Sequence, residues 1–233
     1  MPAKKANLMI DEELIRRICD YASLKQSDRV LEIGAGTGNL SAELAKRAGT
    51  VYAVERDARS CSFLEKRFSE AKNVEIICAD ALKIGYPSFD KIVSNLPYEI
   101  SRKVTERILS VRFGLAVLVF QKEYAEKLSA EPGNGNYRFI SALAQFSADI
   151  EVLEIVPAKA FRPAPRVQSA VVRLRQKEVP EAGFVDFLHK VFNYRNKKLK
   201  KLFPSAEGLP DTRGSRLSPE ELRKVYLDFC AEG

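Results

Sequence analysis

Short apolar runs alternate with amphipathic segments along the first 178 residues of the chain. Segments in which apolar residues recur every three or four positions separate most of these runs, which is typical of helices packed on a sheet. Alternation of this kind predicts an α/β fold with a mostly parallel seven-stranded sheet and a closing antiparallel hairpin. The predicted strands are residues 30–33, 51–54, 74–78, 91–94, 115–120, 150–156 and 167–174.

The pattern becomes purely helical after a linker at Val179-Pro180-Glu181. Phe184, Phe187, Leu188, Val191 and Phe192 follow a helical spacing, and core packing is the interpretation we prefer for this stripe. We therefore predict two domains, an α/β domain of residues 1–178 and a short helical domain of residues 179–233.

A glycine loop and two acidic residues follow three successive predicted strands. Gly34-Ala35-Gly36-Thr37-Gly38 follows the strand 30–33, with a GxGxG spacing that differs from the GxGxxG of pyrophosphate cradles. Glu55 closes the second strand and could accept hydrogen bonds from both ribose hydroxyls of an adenosine, while Asp80 follows the third strand and could accept from an adenine amino group. Each acid alone could instead cap a helix. Together they predict a ligand crevice at the carboxyl edge of the sheet.

The fourth strand runs into Asn95-Leu96-Pro97-Tyr98. The Asn95 side chain and a backbone carbonyl, for which Leu96 is our choice, offer hydrogen-bond acceptors, and Tyr98 offers a flat ring. Pro97 favours an extended conformation at Leu96. Acceptors beside a stacking ring suit a planar nucleobase that carries an amino group. A plain strand-to-helix turn is the alternative.

The charge is basic and clustered. The net charge is +7, and two stretches without an acid, between Glu154 and Glu178 and between Asp186 and Glu207, each carry six basic residues. Such clusters attract a phosphate backbone, although a solvated basic face is the alternative. The residues that we select as contacts with a nucleic-acid backbone are Arg162, Arg166, Arg195, Lys197, Lys198, Lys200 and Lys201.

The remaining composition bears on location. No apolar run approaches the length of a membrane span, and no apolar segment follows the lysines near the N-terminus, so neither a membrane protein nor a secretory signal is predicted. The four cysteines form no CxxC pair, which argues against zinc and suits a reducing compartment. We predict four unpaired cysteines, no metal, a cytoplasmic location and a monomer.

The glycine loop and the two acids resemble the S-adenosylmethionine site of the Rossmann-like class I methyltransferases. Asn95-Leu96-Pro97-Tyr98 resembles the methylating motif of adenine amino-methyltransferases, which act on a base that has left its helix. The chain as a whole looks like the small-subunit ribosomal RNA adenine dimethyltransferases. The stretches that carry this likeness are residues 31–34, 95–101, 161–170 and 192–198.

The resemblance implies S-adenosylmethionine as cofactor and dimethyladenosine as product, at two adjacent adenosines near the 3′ end of small-subunit ribosomal RNA. It also implies that residues 179–233 bind RNA, that Tyr98 stacks on the flipped base and that Phe161 forms a second aromatic wall. The implied catalytic residues are Asn95, Leu96, Pro97, Tyr98 and Phe161. The implied cofactor contacts are Asn7, Met9, Gly34, Gly36, Gly38, Glu55, Asp80, Ala81 and Asn95.

Rival interpretations come from two classes. Within the enzymes, the large-subunit RNA adenine methyltransferases of the macrolide-resistance type share the fold and a similar motif. DNA adenine and glutamine methyltransferases are more distant, because their motif normally has proline where Leu96 stands. The other class is an RNA-binding ribosome assembly factor. A dinucleotide oxidoreductase fits poorly, because the glycine spacing is wrong for it.

Overall fold

The structure, a computed structural model, describes residues 7–229 of the 233-residue chain. Its main feature is a seven-stranded sheet with the order β4-β3-β2-β5-β6-β9-β7. The strands are β2 (Arg29–Ile33), β3 (Thr50–Glu55), β4 (Val74–Cys78), β5 (Lys91–Asn95), β6 (Leu115–Gln121), β7 (Ala148–Val156) and β9 (Ser169–Gln176). β2 pairs in parallel with β3 and β5, β3 with β4, and β5 with β6, whereas β9 runs antiparallel to β6. The predicted fold class is confirmed.

The sequence pattern did not predict a second, two-stranded sheet. β1 (Leu8–Met9) pairs antiparallel with β8 (Phe161–Arg162), so that Leu8 faces Arg162 and Met9 faces Phe161. The amide of Ile10 extends this pairing by donating to the carbonyl of Ala160 at 2.9 Å. The start of the described chain is therefore fastened to the segment between β7 and β9.

Helices occupy most of the intervals between strands, as predicted, whereas the fully described intervals from β4 to β5 and from β7 to β9 contain no α-helix. In the first helix the Asp11 side chain accepts from the amide of Leu14 at 3.0 Å, which caps the helix. The α-helices within residues 7–229 are α1 (Glu12–Tyr21), α2 (Asn39–Ala45), α3 (Ala58–Arg67), α4 (Ser101–Leu109), α5 (Lys122–Leu128), α6 (Phe139–Ser147), α7 (Ala182–Asn193), α8 (Leu199–Leu202) and α9 (Pro219–Phe229).

The chain forms two compact units that differ from the two predicted domains. Unit 1 comprises residues 1–105, 113–122 and 151–175, and unit 2 comprises residues 106–112, 123–150 and 176–233. The helical segment after β6 thus belongs with the C-terminal helices, and not with the sheet as a boundary at residue 178 implied. The units differ from the predicted domains because residues 106–112 and 123–150 pack with residues that are distant in sequence, 176–233.

Each unit has its own core. In unit 1, Ile18, Val93 and Phe161 belong to one cluster of buried apolar residues built on the sheet. In unit 2, the five apolar residues of the α7 stripe are all buried, which confirms that the stripe is core packing. Arg223 lies beside the rings of Phe184 and Tyr226, 5.2 Å from each centroid.

The prediction of four unpaired cysteines is wrong for two of them. Cys61 of α3 and Cys78 at the end of β4 form a disulfide, with Cα atoms 5.7 Å apart. Cys19 is free and buried, and Cys230 lies outside the described residues. The separation of 17 residues between Cys61 and Cys78 gave no sign of the disulfide, which forms because α3 packs on β4.

Two further findings concern membranes and metals. No helix between residues 7 and 229 combines the length and the apolarity that a membrane crossing requires. Over the same residues, no group of three or more His, Cys, Asp and Glu side chains is arranged to hold a metal ion.

Candidate active site and nucleic-acid interface

The glycine loop after β2 is shaped by close contacts with two other segments. Gly34 and Gly36 have φ angles of +80° and +57°, which side chains rarely tolerate. A Cβ atom at Gly34 would lie 3.0 Å from Cδ of Pro97, and one at Gly36 would lie 2.9 Å from a methyl group of Leu8. The loop therefore contacts both the predicted methylating motif and β1.

Glu55, the last residue of β3, is bonded to the same loop. Its Oε2 accepts from the amide of Gly36 at 2.9 Å, and its Oε1 accepts from the amides of Arg56 and Asp57 at 2.8 and 2.9 Å. These three backbone donors fix the carboxylate at the end of the strand. The loop and the predicted ribose acid therefore form one connected structure.

Asp80 lies at the end of the neighbouring strand, as predicted. Glu55 pairs with Cys78 in the register of β3 and β4, so Asp80 follows two residues beyond this pair. Its Oδ1 accepts from the amide of Leu82 at 2.9 Å. Ala81 is buried, and its carbonyl accepts from the Tyr86 hydroxyl at 2.9 Å.

These residues fit the adenosyl part of S-adenosylmethionine. The glycine loop has room only for a backbone at Gly34 and Gly36, and the two carboxylates stand at adjacent strand ends as acceptors for hydroxyl and amino groups. Gly38, with φ +78°, has Leu64 and Phe68 where a Cβ would lie, which seats the loop on α3.

Asn95 is the last residue of β5 and is held by the start of the described chain. Its Nδ2 donates to the carbonyl of Asn7 at 3.1 Å. Because a carbonyl can only accept, this bond fixes which end of the amide is nitrogen. Within residues 7–229 the Oδ1 atom receives no hydrogen bond, so it stands as an acceptor.

The Leu96 carbonyl is a second unpaired acceptor, whereas the next carbonyl is used. The carbonyl of Pro97 accepts from the Ile100 amide at 3.1 Å and from Ser101 Oγ at 3.2 Å. No donor in the described chain reaches the carbonyl of Leu96, a residue that is only 1% exposed. A buried carbonyl without a donor is unusual and is often explained by function.

Tyr98 is half-buried and fixed through its hydroxyl. The hydroxyl lies 2.7 Å from Oγ of Ser169, a fully buried residue at the start of β9. Burial raises the pKa of Tyr98 above its ordinary value, against the lowering effect of the Ser169 hydrogen bond. Ser169 belongs to the stretch 161–170, but the sequence gave it no role of its own.

Phe161, the predicted second wall, lies in the hydrophobic core. Its side chain is 2% exposed and belongs to the same buried cluster as Met9, its partner across β1 and β8. In this arrangement the ring offers no free face to a base, and its role as a wall stays a prediction that requires the ring to become accessible. Arg162 and Arg166 are exposed.

Two contacts that the sequence did not predict hold β1 and the loop together. Asn39 at the start of α2 donates from Nδ2 to the Met9 carbonyl at 3.0 Å. Arg67 of α3 donates to Asn39 Oδ1 at 3.0 Å and to the carbonyl of Thr37. Asn7 and Met9, the predicted cofactor contacts in this segment, are therefore bonded to the site through their carbonyls.

Glu32 is a buried acid that the sequence gave no role. It precedes the glycine loop on β2, and its Oε2 accepts from the Ser41 hydroxyl on α2 at 2.5 Å. Burial raises the pKa of Glu32 to about 8, although the bond from Ser41 acts in the opposite direction. Glu32 thus connects the strand before the loop with the helix after it.

The remaining predicted RNA contacts lie in unit 2. Lys197, Lys198, Lys200 and Lys201 are exposed, and Arg195 is partly buried. Lys198 forms an ion pair with Asp211 at 2.7 Å, which offsets one of these charges and lowers the pKa of Asp211. The others present positive charge to solvent.

Comparison with known proteins places this geometry in a family. The sequence model described as "Ribosomal RNA adenine dimethylase" matches residues 3–209. A protein of Methanosarcina acetivorans named "Probable ribosomal RNA small subunit methyltransferase A" is 40% identical over 241 residues, which cover 94% of this chain and 90% of that protein.

Solved structures agree with this match. A dimethyladenosine transferase from Plasmodium falciparum has a TM-score of 0.85 at 28% identity and covers 97% of this chain and 98% of its own. The 23S rRNA methyltransferase ErmE has a TM-score of 0.69 at 25% identity and covers 96% of this chain and 99% of its own. The chain, whose family match extends over most of its length, belongs to the ribosomal RNA adenine dimethylase family.

Proposed function

We propose that this protein transfers methyl groups from S-adenosylmethionine to the exocyclic amines of two adjacent adenosines near the 3′ end of small-subunit ribosomal RNA. The product is N6,N6-dimethyladenosine. The observation that carries the proposal is the pair of consecutive acceptors, Asn95 Oδ1 and the Leu96 carbonyl, that have no donor within residues 7–229. The names of the Methanosarcina acetivorans relative and of the Plasmodium falciparum structure support the choice of substrate.

The two acceptors match the chemistry of an adenine amine. In the free base the nitrogen is nearly planar, because its lone pair is delocalised into the ring. Hydrogen bonds from the amine to Asn95 Oδ1 and to the Leu96 carbonyl, which must first become accessible because Leu96 is only 1% exposed, favour a tetrahedral nitrogen with a localised lone pair. S-adenosylmethionine, when bound, supplies an electrophilic methyl group on a sulfonium. Positioning and fixed dipoles, with no strong base, would provide the rate acceleration, and the proton left on the methylated nitrogen would pass to water.

The surroundings keep these groups in place. Asn7 orients the Asn95 amide through its carbonyl. Pro97 fixes the backbone between the acceptors and Tyr98, and its ring packs against Gly34 of the cofactor loop. Tyr98, whose hydroxyl is held by Ser169, would stack on an extruded base. Phe161 completes the clamp only if its ring leaves the core.

RNA recognition follows from charge. The basic residues of the two acid-free runs neutralise phosphates, and binding weakens as salt rises because condensed counterions are no longer released to a dilute solution. The partner is small-subunit ribosomal RNA, within a precursor of the small ribosomal subunit. We further propose that the protein acts in the cytoplasm as a monomer.

The large-subunit alternative is supported by the likeness to ErmE, which is named as a 23S rRNA methyltransferase. Purified small and large subunits that lack the modification, each incubated with labelled S-adenosylmethionine, separate the two activities. We expect label in small-subunit RNA. Label in large-subunit RNA alone would reject our assignment.

The assembly-factor alternative is tested by Asn95→Ala. We expect this variant to bind RNA with wild-type affinity and to lose most of its methylation, because one of the two amine acceptors is removed. Asn136→Ala, in an exposed loop, is the matched control and should keep wild-type turnover. Unchanged methylation in Asn95→Ala would show that another group performs this role.

A further inference from the structure

Tyr194 is an exposed aromatic residue in a unit whose other aromatic side chains are mostly packed. It follows α7 directly and is 52% exposed, whereas Tyr137 and Tyr226 are 0% and 8% exposed. Phe192, two residues earlier, packs edge-on against Tyr137 with ring centroids 5.5 Å apart. The aromatic side chain at residue 194 therefore faces solvent, whereas the one at residue 192 is packed.

The segment that carries Tyr194 is fixed by hydrogen bonds. The amide of Lys197 donates to the Tyr194 carbonyl at 2.7 Å, which closes a turn. The Ser215 hydroxyl donates to the Arg195 carbonyl at 3.2 Å. Leu199, which is fully buried, donates its amide to the carbonyl of Thr212 at 2.9 Å. The exposed ring thus stands on an ordered support.

A lysine lies over the ring, in a stretch of sequence that is rich in basic residues. The ammonium group of Lys197 lies 4.8 Å from the centroid of Tyr194, and Lys200 and Lys201 are exposed nearby in sequence. No acidic residue occurs between Asp186 and Glu207. Proteins that bind single-stranded nucleic acids often combine an aromatic ring with a nearby positive charge. The ring stacks on a base, and the charge contacts a phosphate.

We propose that Tyr194 is a stacking platform for an unpaired RNA base and that Lys197 contacts the adjoining phosphate. The proposal rests on the proposed function only in taking RNA as the partner. Stacking requires no particular base, since every base offers a flat face.

A fluorescence experiment tests the contact directly. The chain has no tryptophan, so Tyr194→Trp introduces a single indole whose emission reports on its own surroundings. We expect a short unpaired oligoadenylate to quench this emission. Phe63→Trp, at a site in unit 1 that is 51% exposed, is the matched control and should be unaffected. Equal quenching of both variants, or none at Tyr194→Trp, would overturn the proposal.

Affinity measurements provide an independent test. We expect Tyr194→Ala to weaken oligoadenylate binding about 5- to 150-fold, the range expected for loss of one base–aromatic stack. Tyr194→Phe, which keeps the ring, should bind as the wild type does. Wild-type affinity in a folded Tyr194→Ala protein would overturn the proposal.

The two hypotheses can fail separately. If the wild type methylates small-subunit RNA while Tyr194→Ala binds RNA normally, only the platform is wrong. If Tyr194→Ala loses RNA affinity while the wild type methylates no ribosomal RNA, the platform is supported and the proposed function is wrong.

Discussion

The hydrogen bond between Tyr98 and Ser169 leads to a prediction with a definite asymmetry. The two hydroxyl oxygens are 2.7 Å apart, Ser169 is fully buried and Tyr98 is only half-buried. Tyr98→Phe and Ser169→Ala each remove this bond from one end. The double variant removes both polar partners.

The expected magnitudes follow from which partner remains. Tyr98→Phe leaves the Ser169 hydroxyl buried without a partner, which costs about 1–3 kcal/mol of unfolding free energy. Ser169→Ala leaves the unpaired hydroxyl on Tyr98, a residue that is only half-buried, so we expect the smaller loss of an ordinary hydrogen bond, about 0.5–1.5 kcal/mol. The double variant leaves no orphaned group, and its loss should be smaller than the sum of the two single losses.

Urea unfolding of the three variants and the wild type gives this double-mutant cycle. A coupling of about 1 kcal/mol or more supports the bond. Losses that add within about 0.5 kcal/mol, or a Ser169→Ala variant less stable than Tyr98→Phe, would refute the reasoning.

Activity provides a second readout of the same bond. Both single variants keep the Tyr98 ring or a phenyl ring in its place, so we expect kcat to fall modestly while KM for RNA changes little. Tyr98→Ala, which removes the stacking surface, should lose far more activity.

Three further predictions concern the cofactor side of the site. Gly34→Ala should cost at least about 1–2 kcal/mol, because φ is positive there and a proline ring lies 3.0 Å away, and it should lower kcat in methylation assays; Gly85→Ala, which has open space around it, should be neutral. Serine at both Cys61 and Cys78 should lower the unfolding free energy by roughly 3 kcal/mol for a loop of this length, and a dithiol reductant should lower the wild type to the same value; equal stability would argue against the disulfide. Burial raises the pKa of Glu32 to about 8 in the folded protein, from 4.5, so the free energy of unfolding should fall as pH rises across that interval, by up to ~1.4 kcal/mol per pH unit. Glu32→Gln should flatten this slope in urea titrations.

Much of the site could be predicted because parallel strands deliver their ends to one edge. Glu55 and Asp80 each follow an apolar run, so the sequence places both at strand ends, and the observed register of β3 with β4 makes them neighbours. The place of Asn95 follows in the same way from β5, which is next to β2. The periodicity of the chain was sufficient for these positions.

Contacts between segments that are distant in sequence could not be predicted from the hydrophobic pattern. The bond from Asn95 to the Asn7 carbonyl joins residues 88 apart, and a backbone carbonyl carries no sequence signal. Phe161 showed the same limit, because an isolated aromatic residue gives no indication of whether it faces the core or a ligand. The pairing of Cys61 with Cys78 likewise depends on how α3 packs on β4.

The central claim is that Asn95 and Leu96 hold an adenine amine of small-subunit ribosomal RNA for methylation. Mass analysis of digested RNA, after small subunits lacking the modification are incubated with the protein and S-adenosylmethionine, tests it most directly. The account predicts dimethyladenosine at two adjacent positions with the wild type and almost none with Asn95→Ala. No modified adenosine in small-subunit RNA, or equal modification by the two proteins, would contradict it.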